Sequence, residues 1–468
     1  MKKYLNGFFK IEERGSTITQ ELLGGLTIFL AMVYILPVNA GILSDGTGMS
    51  FAAVFVATAV AAAAASLMMG LYANYPIGLA PGMGVNAFFT YTIVLGLGFT
   101  WQEALAAVLV SGVLFLTISL TGLRKKVINA IPKNLKIAVG AGIGFFIAFI
   151  GLKGAGIVID QPVTLVQLGE LNHPTVLLSL FGIILVFVLH SLNNKFSKFA
   201  VIISILTTGF LGVILGAIFP SLASMMPSLK GTNLGSISDV SSTFGQAFYA
   251  LPSLLSNPMS YAVIFSLLFI DFFDTAGTLV AVGHDAGLIS KDGELIGGGR
   301  ALISDATGTI VGSIIGTSNV TSYIESTTGI KQGARTGLSA AVVGVLFIVS
   351  MLFFPLFSFV NSIPVELGSG ARIFVSPATS LALVYVGALM VTQLKEIDWK
   401  DSVAVTTTFI VIIMMVLAYS ISEGIAFGFI FYVILMLSSK RAKEVDPVMY
   451  VLAGLFVVYY LVKFIVLV

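Results

Sequence analysis

The 468-residue chain has no cysteine. That excludes a disulfide framework and a thiolate-held metal. Histidine is almost as scarce, with three residues, so a metal site has little to stand on. No cofactor of any kind is implied. Charged residues make up 10% of the chain, against about 25% in an ordinary soluble domain, which excludes a soluble globular enzyme. The 24 Lys and Arg nearly balance the 22 Asp and Glu, so nothing points to nucleic acid. The phosphate-cradling run G-x-x-x-x-G-K-[ST] is missing, so any work the protein does must draw on an ion gradient rather than ATP. The opening M-K-K-Y-L-N-G-F-F-K is too short and too often charged to read as a secretory signal.

What is abundant is apolar. Hydrophobic residues reach 57%, with 36 Phe and 49 Gly, and the mean hydropathy is +1.03. A helix crossing a bilayer needs about 20 apolar residues. Charge-free stretches lie near 24–43, 51–75, 79–99, 104–121, 137–152, 175–189, 199–219, 336–358, 373–394, 402–422, 424–439 and 447–462. Three more tolerate acids: 261–283 with Asp271 and Asp274, 301–316 with Asp305, and 317–334 with Glu325. The expectation is an all-α polytopic membrane protein with about 14 transmembrane segments. The stretch from 424 onward has the least certain topology, because 424–439 is short and the last segment carries Lys463. With the N-terminus inside, 20 of the 24 basic residues fall in cytoplasmic segments, and only Lys153, Lys230 and Arg372 fall outside. The positive-inside rule therefore places the N-terminus in the cytoplasm and the chain in the plasma or inner membrane as a multi-pass protein.

Sliding the chain against itself by 232 residues matches Gly112-Val113-Leu114-Phe115 with Gly344-Val345-Leu346-Phe347, Ile131-Pro132 with Ile363-Pro364, and Asn129 with Asn361. The offset separates about seven spans from the next seven. An odd number inverts the second set, so the expectation is a pair of inverted repeats with a site near the midplane where they meet. The repeats are read as residues 1–220 and 261–468, joined by an extracellular linker at 221–260.

Two spans cannot be regular helices. Pro76-Ile77-Gly78-Leu79-Ala80-Pro81-Gly82-Met83-Gly84 holds two prolines and three glycines in nine residues. Irregular backbone survives in lipid only where it is buried or lines a cavity. An extended stretch to about Gly84 and a half-helix starting near Asn86 are expected; a loop between spans two and three is the alternative. At the repeat offset stands Gly316-Thr317-Ser318-Asn319-Val320-Thr321-Ser322-Tyr323-Ile324-Glu325, rich in hydroxyls and β-branched residues, which reads as a second extended stretch before a short helix. Two interrupted spans in corresponding positions point to a binding site.

In the eighth span Asp271, Asp274 and Thr278 stand at i, i+3 and i+7, sharing a helix face. A carboxylate at the bilayer centre costs roughly 2.5–3.5 kcal/mol on insertion scales, so such acids usually face a polar interior and act. The bland reading is structural acids satisfied by hydroxyls and amides. For Glu325 it is a partner in helix capping near Thr321. For Asp305, five residues after Arg300, an ion pair or cap stands level with function. His284 and Asp285 read as solvated, His173 and His190 as boundary residues. Gly140-x-Gly142-x-Gly144 and Gly312-x-x-x-Gly316 read as close helix packing.

The runs A-P-G-M-G-V-N-A-F-F at 80–89, I-D-F-F-D-T-A-G-T at 270–278, R-A-L-I-S-D-A-T-G-T at 300–309 and G-T-S-N-V-T-S-Y-I-E-S-T-T-G-I at 316–330 resemble the nucleobase–ascorbate transporter (nucleobase–cation symporter) family over nearly the whole chain. The nearest branch is the AzgA-like hypoxanthine/adenine/guanine permeases. The resemblance implies seven plus seven inverted repeats divided into core and gate domains, each drawn from both repeats, with strand–helix hybrid third and tenth spans. It implies that Asp271 and Glu325 bind a purine, with Asn86 beside them. Thr275 would also contact substrate, and Phe88 and Tyr323 would pack on or near the base. Asp274 would take the proton-linked role. The uracil and xanthine branches carry Glu where Asp271 stands, which favours a purine. The implied activity is proton-coupled uptake of guanine, hypoxanthine and adenine by an elevator-type movement, with no enzymatic function. The chemistry agrees: a carboxylate accepts two adjacent N–H groups of a purine edge, and an amide both donates and accepts.

The competing readings are a carrier of the same fold for uracil, xanthine or a small anion, an intramembrane aspartyl protease, and a channel. Three acids argue against an anion site. The protease lacks its Gly-x-Gly-Asp run, and its two acids would sit on separate helices. A channel would show a ring-forming filter rather than inverted repeats. Sodium in place of the proton, the order of preference among the three purines, and monomer against homodimer are not fixed by sequence.

Overall fold

The computed structural model describes residues 2–121, 130–161, 163–192, 197, 199–228, 234–288, 295–360, 362–368 and 372–467. Arg124, Lys125, Lys126, Lys195, Lys198, Lys230, Lys291, Asn129 and Asn361, all used above, lie outside the described residues, as do the side chains of His284 and Lys463.

The first half runs α1 (Lys2–Phe9), α2 (Ile18–Met32), α3 (Ile35–Ser44), α4 (Phe51–Met68), β1 (Leu79–Pro81), α5 (Met83–Ala87), α6 (Trp101–Thr121), α7 (Lys133–Gly154), a hairpin of β2 (Val158–Gln161) and β3 (Leu165–Leu168), α8 (Pro174–Ser191) and α9 (Ala200–Ile218). The second runs α10 (Gln246–Ser256), α11 (Met259–Asp285), α12 (Gly298–Ile315), β4 (Val320–Ser322), α13 (Ser326–Ile330), α14 (Gly337–Ser350), a hairpin of β5 (Ile363–Glu366) and β6 (Arg372–Val375), α15 (Pro377–Val391), α16 (Ser402–Leu417), α17 (Ile421–Ser438) and α18 (Pro447–Leu467). Among the described residues nine helices are long and apolar enough to cross a membrane, and four shorter apolar ones accompany them. Ile421–Ser438, thought short, is one of the nine. The chain is an all-α polytopic membrane protein of inverted repeats.

Hydroxyl side chains start several of these helices. Thr17, Ser50 and Thr336 cap α2, α4 and α14 by accepting from Gln20, Ala53 and Leu338 amides, which satisfies donors a helix start leaves open. Within the helices two bodies form. In one, α2, α4, α6, α11, α12 and α14 surround β1 and β4; in the other, α7, α8, α9, α15, α16 and α17 pack on one another. This is the core and gate division.

The repeat match at Gly112 and Gly344 corresponds to a real equivalence. A Cβ on Gly112 would stand 2.9 Å from Thr309 Cγ2, on α12, and one on Gly344 would stand 2.7 Å from Leu67 Cγ and 2.9 Å from the Ala63 carbonyl, on α4. Each glycine thus lets the helix after one hybrid approach the helix before the other. The Ile-Pro match does not correspond: Ile131-Pro132 precedes α7, whereas Ile363-Pro364 lies in β5. Gly144 behaves as read, packing against the Gly387 carbonyl on α15.

The segment 221–260 is not a bare linker. Gly245 N–H and Thr243 Oγ1 donate to the carbonyls of Ile314 and Ile315 at 2.7 and 2.8 Å, closing the C-terminal end of α12. Helix α10 packs on α6 through buried Ala247 and Leu254. Among the described residues, several hydrogen bonds join loops that the alternating topology puts on one side. Arg14 donates to the carbonyls of Asn74 and Arg335, and Tyr75 to that of Ile296. On the opposite side Ser50 meets Asp239, Ser253 meets Glu103, and Glu170 accepts from Gly368 N–H.

Candidate functional site

The two hybrids meet as an antiparallel pair inside the core body, Leu79 opposite Ser322, Ala80 opposite Thr321 and Pro81 opposite Val320. The ladder extends past the strands, with Gly82 N–H on the Asn319 carbonyl at 3.0 Å and Tyr323 N–H on the Gly78 carbonyl at 3.1 Å. Antiparallel pairs alternate between bonded and unbonded positions. Leu79, Pro81, Val320 and Ser322 therefore turn their backbone groups outward, where lipid cannot satisfy them. Ser66 Oγ on α4 accepts from Leu79 N–H at 2.9 Å and donates to its carbonyl at 3.0 Å. Thr309 Oγ1 on α12 does the same for Val320, both at 3.1 Å. Pro81 has no N–H, and its carbonyl accepts from Tyr323 Oη at 2.5 Å. The two hydroxyls stand where neighbouring strands would be. Ser66→Ala or Thr309→Ala strands a buried donor and acceptor, so each should cost about 1–3 kcal/mol, read as lowered thermal stability of the purified protein in detergent, while Ser66→Thr should cost less.

The third span departs from expectation in detail. Extended backbone is limited to Leu79–Pro81, and the helix begins at Met83 with Gly82 as its cap, three residues before Asn86. Phe88–Val94 then continues as a π-helix, a form that concentrates at functional sites. A Cβ on Gly84 would stand 2.9 Å from Ile143 Cγ2, so the glycine lets this half-helix approach α7 closely. The tenth span matches its expectation: strand, then the short helix α13.

Around this ribbon the polar groups sort by depth. Glu325, at the start of α13, is half-buried. It caps no helix; its Oε1 accepts from Tyr34 Oη at 2.6 Å. Asp274 is also half-buried, with Oδ2 3.1 Å from the Cβ position of Gly82, just past β1. Tyr323 lies between strand and helix, its hydroxyl held by Pro81. Glu325 and Tyr323 follow β4 and Asp274 lies beside the end of β1, so all three flank the ribbon; Ile324, between Tyr323 and Glu325, is 44% exposed.

One layer behind, Thr275 Oγ1 donates to Asp305 Oδ2 at 2.9 Å and lies 3.0 Å from Thr321 Oγ1. With its proton on Asp305, Thr275 must accept from Thr321, so a directed chain runs from β4 through α11 to α12. Asp305 is fully buried and takes this bond from Thr275, on the neighbouring helix α11. Asp271 is fully buried as well, and its Oδ2 accepts from Asn319 Nδ2 at 3.1 Å, with Ser111 Oγ 3.4 Å from the same nitrogen. Asp271 and Asp274 share a side of α11 but not an environment: Asp271 is fully buried against Asn319, and Asp274 is half-buried beside Gly82. Asn86 is fully buried and its Oδ1 accepts from Ser318 Oγ. Phe88 is 1% exposed in the main apolar core. Tyr34 escaped the sequence reading of the site, and Asn319 and Thr321 were given no role in it beyond the run that contains them.

A ribbon of two broken spans, buried between helices and flanked by carboxylates, defines a secondary-transporter fold with its site at the repeat interface. The Permease family (Xan_ur_permease) model matches residues 19–427, and this chain belongs to that family. It is 44% identical to the guanine/hypoxanthine permease PbuG of Bacillus subtilis, over 97% of this chain and 99% of the relative. It is 37% identical to the adenine permease AdeP of Escherichia coli, over 97% and 95% of the two chains. Among solved structures, the transmembrane domain of a cyanobacterial bicarbonate transporter, BicA, shares the fold at TM-score 0.59 and 15% identity, covering 87% of this chain and 96% of that one. Murine Slc26a9, an anion transporter in the inward-facing state, does so at TM-score 0.60 and 12% identity, covering 94% and 72%.

Proposed function

We propose that this permease takes up purine bases, guanine, hypoxanthine and adenine, in symport with protons. The observation that carries the reading is the pair of half-buried carboxylates, Glu325 after β4 and Asp274 beside Gly82, that flank the buried ribbon. With one Glu325 oxygen taken by Tyr34, the carboxylate keeps acceptor capacity for the N–H groups of a purine edge. Asp274 holds the coupled proton. Asn86 Nδ2, Asn319 Oδ1 and Ser322 Oγ, buried atoms with no hydrogen-bond partner in the structure, add polar capacity around the ribbon. Tyr323 and Phe88 supply flat apolar surface. Asp271 and Thr275 support the strand rather than the base, a shift from the roles that the resemblance implies. The near-full-length similarity to guanine/hypoxanthine and adenine permeases supports the substrate class, and the paired carboxylates argue against an anion. The test is uptake of radiolabelled purines by cells that lack their own purine carriers, with unlabelled competitors. Competition by guanine, hypoxanthine or adenine is expected; competition by uracil, xanthine or bicarbonate alone would refute the substrate class.

The support role of Asp271 has its own signature. Asp271→Asn keeps an acceptor for Asn319 and Asp271→Ala does not, so purine affinity measured by calorimetry should fall further in the alanine variant. Equal losses would return Asp271 to the base.

The repeats are proposed to divide at 1–220 and 261–468. The basic ends, including Arg14, Arg335 and Arg441, are proposed to face the cytoplasm in the plasma membrane. Alternating access is proposed to be a rigid movement of the core body past the gate body. A cross-link between α5 and α7, which touch across the two bodies, should then stop uptake and leave purine binding intact. Uptake that survives the cross-link would contradict a moving core.

A further inference from the structure

The N-terminal helix carries a surface that the transport site does not use. On one side α1 is fastened to the core body. Phe9 and Ile11 are 3% and 1% exposed against Leu338. Asn74 Nδ2 donates to the Phe9 carbonyl at 2.9 Å, and Asn74 Oδ1 accepts from Gly337 N–H at 2.7 Å. Asn74 itself ends the second span in a left-handed turn, five residues before β1. The helix is thereby tied to the segments that lead into the ribbon and out of α13. On the other side, Tyr4 is 74% and Phe8 50% exposed, their rings stacked 6.4 Å apart, with Lys2 and Lys3 exposed beside them. Leu22, Leu23 and Leu26, exposed at the start of α2, continue an apolar surface into the first span.

Aromatic rings settle at the headgroup level of a bilayer, and lysines on a short amphipathic helix are drawn to anionic lipids, each worth about 1 kcal/mol near the surface. We propose that α1 lies in the bilayer interface, with Tyr4 and Phe8 among the headgroups and Lys2 and Lys3 on anionic phosphates. The proposal requires only that the chain spans a bilayer; it is independent of the substrate.

The chain has no cysteine, so Phe8→Cys and, separately, Tyr4→Cys each offer a single thiol for a spin label. The full-length variants are reconstituted in vesicles of phosphatidylcholine, with and without phosphatidylglycerol. Collisions with oxygen, which partitions into lipid, are compared with those of a water-soluble nickel chelate. The expected result is a label reached by oxygen and shielded from nickel, more so with phosphatidylglycerol, and loss of that lipid dependence in the Lys2→Gln, Lys3→Gln background. A label at both positions that nickel reaches freely overturns the interfacial placement. The same depth with and without phosphatidylglycerol overturns the anionic-lipid recognition.

Discussion

Glu325→Gln is expected to reduce purine affinity at least tenfold while the protein stays folded. The glutamine keeps the volume and an oxygen for the Tyr34 hydroxyl, which reaches Glu325 at 2.6 Å. What it loses is the charge. Hydrogen bonds to a charged group contribute about 1.5–3 kcal/mol against about 0.5–1.5 for neutral ones, and a mismatched donor facing the base adds the cost of an unsatisfied polar group. A loss of about 1.4 kcal/mol is a factor of ten. Titration calorimetry of the purified variant with guanine or hypoxanthine reads the affinity, and its melting temperature reads the fold. Wild-type affinity with an unchanged melting temperature would remove Glu325 from the site. Tyr34→Phe is the companion: without its donor, Glu325 is less fixed, and affinity should fall by less than in Glu325→Gln.

Asp274→Asn is expected to keep measurable binding and lose concentrative uptake. A neutral purine feels no membrane potential, so accumulation needs a co-transported cation. Two neighbouring carboxylates in a low-dielectric site do not both ionise cheaply. On the proposed reading Asp274 carries the coupled proton. An asparagine fixes that position in a neutral state, so the carrier can exchange bases across the membrane but not concentrate them. The measurement pairs counterflow with net uptake. Counterflow should persist, and accumulation above the outside concentration should vanish. Full accumulation by Asp274→Asn would move the coupled proton to Glu325 or Asp271.

How much of this could be read beforehand divides by range. The spans follow from hydropathy, because the bilayer allows only long apolar helices. The two broken spans follow from local chemistry: prolines and glycines at 76–84 and hydroxyls at 317–328 cannot sit in lipid as plain helix. Their register against each other could not be read, because it pairs residues some 240 positions apart (Leu79 with Ser322) and depends on how two helices, α4 and α12, hold the outward backbone edges. Helical periodicity put Asp271 and Asp274 on one side of α11 but does not fix the rotation of that side. A modest turn separates a carboxylate buried on Asn319 from one half-buried beside Gly82. The sequence left the role of Asp305 open because its nearest charged sequence neighbour is Arg300, whereas Thr275, which bonds it, is thirty residues distant. Tyr34 sits in an apolar stretch and carries no local signal, since nothing near it in sequence shows where its hydroxyl ends.

The central claim is that this chain concentrates purine bases with protons through the carboxylates at the ribbon. Purified protein in proteoliposomes tests it most directly, with labelled guanine, hypoxanthine or adenine outside and one gradient imposed at a time. An inward proton gradient should drive accumulation above equilibrium, a protonophore should abolish it, and a sodium gradient alone should give none. Accumulation that follows sodium and ignores the protonophore would contradict proton coupling, and absence of purine uptake under either gradient would contradict the account as a whole.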